Sequence, residues 1–299
     1  MNIFLENVNL NSTSGPNSFA NKLIKYLYRR KHTVTNRIDD SDVHLCFIES
    51  CKSKAGTPLF QRLDGIYFNS DQDFINQNSN IKKTYRNAYG VIFQTEFNKQ
   101  LTFKYFGDRD NTTVIHNGAD VELISNIKPI THPKLDNCDK VWACASKWRP
   151  HKRLADNIDY FLQHSGANDR LVVAGHTDKR LKDDKIIYVG EIGQKQLLSL
   201  YKKSEYFIHL AWLDHCPNVV VDARASRCKI ICSSTGGTKE IAGPDATLIE
   251  EKEWDFKPVR LYDPPEMDFS KKINNSLDSD YNMNNVAKRY EQFMENYKK

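Results

Sequence analysis

Short apolar runs alternate with segments of helical spacing along most of the chain. Apolar residues that recur every three to four positions, such as Phe19, Leu23 and Leu27, predict helices between the runs. In the first half of the chain, the runs predict strands at residues 2–5, 43–48, 90–94 and 113–116. Strands that alternate with helices favour an α/β architecture with parallel sheets.

The alternation lapses once, between residues 124 and 139. This segment contains Pro129, Pro133 and several polar residues without periodicity, and we interpret it as a linker. The alternation then restarts, with strands predicted at 141–145, 171–175, 186–189, 206–211, 229–232 and 247–249. The pattern therefore predicts an N-terminal Rossmann-like domain over residues 1–123 and a C-terminal one over residues 140–281.

The chain ends with a polar segment and one amphipathic helix. Residues 251–281 contain three prolines, and we expect them to be irregular. Residues 282–299 are predicted to form a helix with apolar side chains such as Met283, Tyr290 and Met294 on one face. That apolar stripe has to pack against another part of the protein.

The composition is typical of a globular protein with two cores. A chain of 299 residues is long enough for two domains, and 39% hydrophobic with 27% charged residues exclude a disordered protein. The net charge of +5 is mild. Because the chain contains no dense Lys/Arg tract with interleaved aromatic residues, a nucleic-acid partner has little support. Peripheral contact with an anionic membrane surface stays open.

The cysteines and the start of the chain indicate a cytoplasmic protein without a bound metal. The seven cysteines are odd in number and form no CxxC pair, which favours reduced thiols and offers no zinc-binding spacing. Residues 1–6 lack the basic region and the long apolar core of a signal peptide. No apolar run approaches the length of a membrane span.

Two aspartates flank a tight turn in the second half of the chain. Asp214 and Asp222 lie on either side of Cys216-Pro217-Asn218, where a helix is predicted to begin. The start of a helix offers unpaired N–H groups to a phosphate, and neighbouring carboxylates can accept hydrogen bonds from sugar or ribose hydroxyls. The arrangement predicts a nucleotide-sugar site, although an isolated Asp is more often a surface residue or a helix cap.

A basic loop follows the first strand predicted after the linker. Four cations, Lys147, Arg149, Lys152 and Arg153, lie within seven residues. Fixed cations stabilise the negative charge that a diphosphate leaving group gains. The position at the carboxyl end of a strand favours a ligand-binding role over a solvated charge run. Gly175, at the end of the next strand, is a further donor-binding candidate.

The first half of the chain offers weaker candidates. Small residues in the loop 12–17, which includes Gly15, would let backbone N–H groups approach a phosphate, but a plain connection explains them nearly as well. Asp64 could bind an acceptor hydroxyl or support its own loop. His116 and His176 lie at the ends of predicted strands and are weak candidates.

These motifs resemble those of the retaining glycosyltransferases of family 4. The family signature has two glutamates separated by seven residues, where this chain has Asp214 and Asp222. Asp64 matches the family phrase Arg-x-Asp-Gly, and Asn117-Gly118 matches His-Asn-Gly. The resemblance implies the GT-B fold, in which two Rossmann-like domains face a cleft and the C-terminal helix crosses back onto the first domain. It also implies transfer of a sugar with retention at the anomeric carbon, without a metal or another cofactor.

The resemblance further implies roles for individual residues. Asp214 would contact hydroxyls of the donor sugar, and Asp222 would contact the ribose of the nucleotide. Lys147 and Lys152 would clamp the diphosphate, while Asp64 completes the catalytic set. The donor-binding candidates are Gly15, Arg149, Gly175, Cys216, Pro217, Asn218, Val219 and Asp222.

Departures from the family pattern leave other functions open. Each aspartate is one methylene shorter than the glutamate of the family, so each carboxylate must lie closer to its ligand or bind through water. Arg224, Arg227 and Lys229 occur where the family usually has a small residue, a Gly and a Pro. We expect a transferase with a glycan, lipid-linked or small-molecule acceptor. The alternatives are a non-catalytic nucleotide-sugar or glycan-binding protein and a sugar-nucleotide epimerase with the same fold. The sequence does not indicate the nucleotide base, the sugar or the oligomeric state.

Overall fold

The chain forms two sheets, and the first belongs to the N-terminal domain. The computed structural model describes residues 1–12 and 14–298; Thr13, in the predicted phosphate-binding loop, and Lys299, at the end of the predicted last helix, lie outside the described residues. The strands of the first sheet are β1 (Asn2–Glu6), β2 (Thr33–Thr35), β3 (Val43–Phe47), β4 (Leu59–Leu63), β5 (Gly90–Phe93) and β6 (Thr112–Val114). All pairings in this sheet are parallel, in the order β2-β1-β3-β4-β5-β6.

The second sheet belongs to the C-terminal domain. Its strands are β7 (Val141–Ala145), β8 (Arg170–Ala174), β9 (Ile186–Gly190), β10 (Tyr206–His209), β11 (Lys229–Ser233), β12 (Thr247–Ile249) and β13 (Lys272–Asn274). The order is β13-β12-β11-β10-β7-β8-β9, and only the pairing of β13 with β12 is antiparallel among the described residues. Six of these strands follow the order of a doubly wound dinucleotide-binding sheet. The predicted α/β architecture with two Rossmann-like sheets is confirmed.

Helices cover the sheets and connect the strands. The longer ones are α1 (Gly15–Arg29), α3 (Ser79–Asn87), α4 (Glu96–Phe106), α7 (Leu154–His164), α8 (Gln194–Lys203), α9 (Asn218–Ala225) and α11 (Met283–Glu295), and the shorter ones are α2 (Phe74–Gln77), α5 (Val121–Asn126), α6 (Pro133–Asp136) and α10 (Thr238–Ala242). Short 3₁₀ helices lie at Ile38–Asp40, Pro150–Lys152 and Asn296–Lys298. Among the residues that the structure describes, no helix is long and apolar enough to span a membrane.

The sequence pattern did not predict β2, β4 and β13. Strand β4 lies in the middle of the first sheet, yet it contains Gln61 and Arg62, which are both completely buried. Polar side chains at core positions conceal an apolar run, which explains the omission. Strands β2 and β13 are three-residue edge strands, too short for a periodicity to show.

The segment that we interpreted as a linker contains helical turns. Residues 124–139 include the end of α5 and all of α6. Ile124 and Leu135 are buried in the core of the C-terminal domain. Helices of four to six residues complete fewer than two turns, so their apolar positions cannot reveal a period.

The last helix returns to the N-terminal domain. The side chains of Met283, Ala287 and Tyr290 in α11 are buried in the same core as Phe19 of α1. The rings of Phe19 and Tyr290 lie 5.8 Å apart. A side chain at Gly90 of β5 would collide with the ring of α11 that packs there. The predicted crossing of the C-terminal helix is therefore confirmed, and it supplies the partner that the apolar stripe requires.

A second segment of the C-terminal domain also packs on the first. Residues 254–261 contribute apolar side chains to a core cluster of the N-terminal domain. The backbone N–H of Ser70 donates to the carbonyl of Val259 at 2.8 Å, and the rings of Phe97 and Trp254 lie 6.0 Å apart. Together with α11, this segment holds the two domains so that the carboxyl ends of their strands face each other.

Candidate active site

The second sheet has a topological switch point between β7 and β10. From β7 the chain continues outward through β8 and β9, whereas β10, β11 and β12 extend in the opposite direction. In doubly wound sheets, ligands bind in the crevice at the carboxyl ends of the strands at such a point. The loop after β7 contains Lys147 and Lys152, and the loop after β10 contains Asp214. The topology thus brings both predicted segments to one crevice.

Lys152 and Asp214 form an ion pair at this crevice. Nζ of Lys152 lies 2.5 Å from Oδ2 of Asp214, and Nε2 of the buried His209 lies 2.8 Å from the same oxygen. Burial alone would raise the pKa of Asp214, but the charge of Lys152 and the hydrogen bond with His209 hold this pKa well below its usual value. The carboxylate is therefore ionised and fixed in orientation. Sequence reasoning missed His209, whose signal is a histidine at the end of an apolar strand.

The other cations of the basic loop do not join this pair. Lys147 and Arg149 are exposed, and their side chains form no hydrogen bond or ion pair with residues 1–12 or 14–298. Arg153 is buried, and its guanidinium lies 2.7 Å from Glu251, so it supports the loop. Gly175 has a positive φ of 104°, and a Cβ there would lie 1.9 Å from the carbonyl oxygen preceding Lys147. The glycine thus permits close packing beneath the loop, while its donor contact stays a prediction.

The helix α9 begins where the sequence predicts a phosphate-binding turn. Its N-cap residue is Pro217, whose side chain forms no capping hydrogen bond, so the first N–H groups remain available to a ligand. Nδ2 of Asn218 donates to the carbonyl of Gly15 at 2.8 Å, which joins this turn to the first loop of the N-terminal domain. Cys216 is buried, and burial raises the pKa of its thiol to about 12, so it stays protonated. Val219 is the next residue of the helix.

Asp222 is held by a lysine of the N-terminal domain. Nζ of Lys22 lies 3.1 Å from Oδ1 of Asp222, and the two side chains are only 5% and 13% exposed. Burial raises the pKa of Asp222, and Lys22 partly offsets the increase. The carboxylate that we predicted to bind ribose therefore has a cation from the opposite domain beside it. Sequence reasoning missed Lys22, although a lysine between Phe19 and Tyr26 on the apolar face of α1 is a signal.

Asp64 belongs to a buried polar network at the end of β4. Its carboxylate contacts the guanidinium of Arg62 and accepts a hydrogen bond from Gln94. Arg62 also donates to Asn117 at 2.8 Å, and Asn117 donates to the carbonyl of Cys216 at 2.9 Å. The two family phrases of the N-terminal domain are therefore joined to each other and to the start of α9.

The segment 236–240 makes a further contact between the domains. The carboxylate of Glu240 accepts hydrogen bonds from the backbone N–H groups of Glu96 and Phe97, at 2.7 and 2.8 Å, at the start of α4. Nε2 of His116 lies 3.3 Å from the same carboxylate. A Cβ at Gly237 would lie 2.0 Å from the carbonyl oxygen of the residue after Asp214. Sequence reasoning placed His116 only as a weak candidate and assigned no role to Glu240.

His176 forms its ion pair within its own loop. Its side chain is 71% exposed and pairs with Asp178 at 3.2 Å. The structure therefore brings together Lys152, Asp214 and the start of α9, and it places Asp64 across from them. A role for His176 in the site stays a prediction.

Comparison with known proteins identifies the fold. Residues 134–256 match the family model described as "Glycosyl transferases group 1", and no curated protein sequence is significantly similar to the chain. Similar solved structures include the Anabaena protein HepE with UDP, with a TM-score of 0.67, 13% identity, and coverage of 99% of this chain and all of HepE. The chain has the GT-B fold.

Further solved structures agree with this identification. Sucrose-phosphate synthase from Thermosynechococcus elongatus has a TM-score of 0.66 at 12% identity, with 99% of both chains covered. AviGT4, a glycosyltransferase involved in avilamycin A biosynthesis, has a TM-score of 0.62 at 13% identity, with 99% of this chain and 98% of that chain covered. The family match lies in the C-terminal domain, which contains Lys152, Asp214 and Asp222.

Proposed function

We propose that this protein is a glycosyltransferase that moves a sugar from a nucleotide-diphosphate sugar to a hydroxyl acceptor. The proposal rests on the Lys152–Asp214 ion pair at the switch point of the second sheet, beside the uncapped start of α9. A cation, an ionised carboxylate and free helix N–H groups at one crevice suit a diphosphate together with sugar hydroxyls. The match of residues 134–256 to a glycosyltransferase family model supports the same assignment.

A UDP-sugar is the donor that we propose. The structures of the similar Anabaena protein contain UDP in one case and UDP-glucose in another. Because that similarity is one of fold, the nucleotide preference is the first point to measure. The acceptor that we propose is a glycan, a lipid-linked glycan or a small molecule. The seven free cysteines support a reducing, cytoplasmic location.

In the proposed reaction, the anomeric carbon is transferred with retention. The bond between this carbon and the phosphate oxygen of the donor breaks, and a bond to the acceptor oxygen forms on the same face. The proton of the acceptor hydroxyl passes to the leaving diphosphate. Lys152 stabilises the negative charge that develops on the diphosphate, and for this reason we propose that no metal is required. Asp214, which His209 fixes in place, accepts hydrogen bonds from hydroxyls of the donor sugar.

Asp222 has the second role in donor binding. We propose that the ribose hydroxyls share its carboxylate with Lys22, because one carboxylate oxygen is paired with Lys22 and a carboxylate has four acceptor sites in total. Val219 and Asn218 direct backbone N–H groups towards the diphosphate. Lys147 and Arg149 are exposed beside the crevice and are proposed as additional phosphate ligands.

Donor binding is tested by thermal unfolding in the presence of UDP, GDP, ADP and CMP and their sugar conjugates, without added metal. A ligand at about one hundred times its Kd stabilises a protein by about 2.7 kcal/mol, which corresponds to a rise in Tm of at least about 2 °C for a chain of this size. A rise that occurs with uridine nucleotides alone supports the proposed donor. A rise with another base would replace UDP in the proposal.

The role of Lys152 is tested by Lys152→Ala. Removing a fixed cation from a developing oxyanion should lower kcat/KM by about 10²–10³-fold. The matched control is Lys195→Ala, an exposed lysine on α8 of the same domain, which should retain wild-type activity. Near-normal transfer by Lys152→Ala would contradict the proposed function. Nucleotide binding without any donor turnover by the wild-type protein would favour the non-catalytic alternative.

A further inference from the structure

Two buried polar atoms lie on opposite sides of the cleft without a partner. Oδ2 of Asp64 and Nδ1 of His215 are shielded from solvent, and neither has a hydrogen bond within the described ranges 1–12 and 14–298. A polar atom that is buried without a partner has lost its hydrogen bond to water, which costs free energy of folding. Each such atom therefore calls for a specific explanation. Asp64 belongs to the N-terminal domain and His215 to the C-terminal one, and the two lie where the domains meet.

The His215 ring is fixed by its surroundings, and its buried Nδ1 has no hydrogen-bond partner among the described residues. Its backbone N–H donates to Asp214 at 3.1 Å, and its carbonyl accepts from Oγ1 of Thr95 at 3.2 Å. The ring packs against Phe68 and Phe97, with centroid distances of 6.1 and 5.7 Å. Burial lowers the pKa of His215 to about 4, so the imidazole is neutral near pH 7.

The backbone next to Asp64 lies directly against the His215 ring. A Cβ at Gly65 would be only 2.6 Å from Nε2 of His215. One oxygen of the Asp64 carboxylate is held by Gln94, and the side chain is only 9% exposed. Oδ2 of Asp64 and Nδ1 of His215 are therefore both held in place before a ligand binds. His215 directly follows Asp214 in the chain.

We propose that His215 and Asp64 bind the acceptor, with Nδ1 of His215 donating to the reacting hydroxyl oxygen and Oδ2 of Asp64 accepting from a second, neighbouring hydroxyl. This inference rests on the proposed function, in which Asp214 holds the donor sugar beside this position. The proton of the reacting hydroxyl remains directed at the leaving diphosphate. An ionised carboxylate oxygen only accepts hydrogen bonds, and an ionised phosphate offers it no donor, so the acceptor is an uncharged sugar or polyol at this end.

Water can serve as the acceptor in the test, because it can take the same place during hydrolysis of UDP-glucose. It accepts from His215 and donates one proton to Asp64, while the other points to the diphosphate. His215→Phe keeps the ring packing but removes Nδ1, and His215→Asn places an amide N–H near the position of Nδ1. Loss of one hydrogen bond should lower kcat for hydrolysis about tenfold in His215→Phe. His215→Asn should stay within about threefold of the wild type, and both variants should bind UDP-glucose with an unchanged Kd.

The outcomes separate this inference from the proposed function. Equal kcat in the wild type and His215→Phe, or equal losses in both variants, would overturn the inference. A wild-type protein that binds UDP-glucose without any turnover would instead contradict the proposed function. Failure of the wild type to bind UDP-glucose would instead overturn the proposed donor. If His215→Phe does not fold, His215→Leu preserves the apolar contact and takes its place.

The preference for an uncharged acceptor is tested with a pair of model acceptors. The rate of UDP release from UDP-glucose is measured against the concentration of methyl α-glucoside and of its 6-phosphate. The concentration that gives half of the maximal change in rate should be lower for methyl α-glucoside. Equal concentrations, or the reverse order, would overturn the assignment of an uncharged acceptor to Asp64 and His215.

Discussion

Removal of the Lys22 ammonium should destabilise the protein, because it leaves the Asp222 carboxylate buried without its cation. The two side chains are 5% and 13% exposed, and Nζ lies 3.1 Å from the carboxylate oxygen. Breaking a pair this deeply buried by removing one partner costs about 3–5 kcal/mol. Because Asp222 can take up a proton, we expect the lower end, about 3 kcal/mol at pH 7.5 for Lys22→Met. That loss corresponds to a decrease in Tm of about 5 °C or more.

The loss should depend on pH in a defined direction. The pKa of Asp222 is already raised in the folded protein, and removal of Lys22 raises it further. A raised carboxyl pKa means that the unfolded chain releases its proton first, so the free energy of unfolding decreases as the pH rises through this range. The deficit of Lys22→Met relative to the wild type should therefore be smaller at pH 4.5 than at pH 7.5.

A double-mutant cycle isolates the pair itself. Lys22→Met with Asp222→Leu replaces both charges by apolar groups and should lose much less than the sum of the single changes, with a coupling energy of at least about 2 kcal/mol. The matched control is the pair of Lys229 and Glu205, at 3.0 Å with 62% and 36% exposure, where Lys229→Met should leave Tm unchanged. Circular dichroism and calorimetry should both be recorded, because a two-domain chain need not unfold in one step. Additive losses in the double mutant, or a loss in Lys22→Met no larger than in the control, would refute the reasoning.

Two further predictions concern the packing around the cleft. Gly237→Ala should lower Tm sharply, since its Cβ would lie 2.0 Å from a carbonyl oxygen, whereas Gly193→Ala, with 3.6 Å to its nearest neighbour, should be tolerated. Thermal unfolding of both variants compares them. The pKa of buried His151 is lowered to about 3, so below pH 6.5 the unfolded chain binds a proton that the folded one does not, and stability should fall by up to about 1.4 kcal/mol per pH unit on its account. His151→Phe should make the fall of Tm between pH 6.5 and 4 less steep, while the same change at His176, which is 71% exposed, should leave the slope unchanged.

Much of the fold could be predicted because most core strands are uninterrupted apolar runs. Strands β7, β8 and β10 have nearly all their residues buried, and each was predicted from its sequence. Strand β4 was not, because Gln61 and Arg62 occupy core positions where the pattern rule expects apolar residues. Those two residues form hydrogen bonds with Ile48 and Asn117, which lie far away in sequence. Because these partners come together only in the folded protein, the local sequence pattern does not predict that Gln61 and Arg62 are buried.

Some contacts of the candidate site could be predicted from the sequence, and others could not. Lys152 and Asp214 follow predicted strands of one sheet, and parallel strands bring their carboxyl ends to one edge. Their proximity could therefore be expected from the order of strands alone. Lys22 and Glu240 contact residues of the opposite domain, and the distance between two domains is not encoded in the periodicity of either. These contacts could not be derived before the domains were placed together.

The polar contacts around the cleft also bear on the short carboxylates. The family signature has glutamates where this chain has Asp214 and Asp222, and each aspartate has a lysine within 3.1 Å. In addition, His209 contacts Asp214 from the sheet. A longer carboxylate at either position would need the space that these partners occupy. The aspartates and their lysines therefore form one unit: the shorter side chain leaves room for a cation, and the cation keeps a buried carboxylate ionised or hydrogen-bonded. A donor that binds here meets carboxylates whose orientation is already fixed, at the cost of displacing or sharing an existing ion pair.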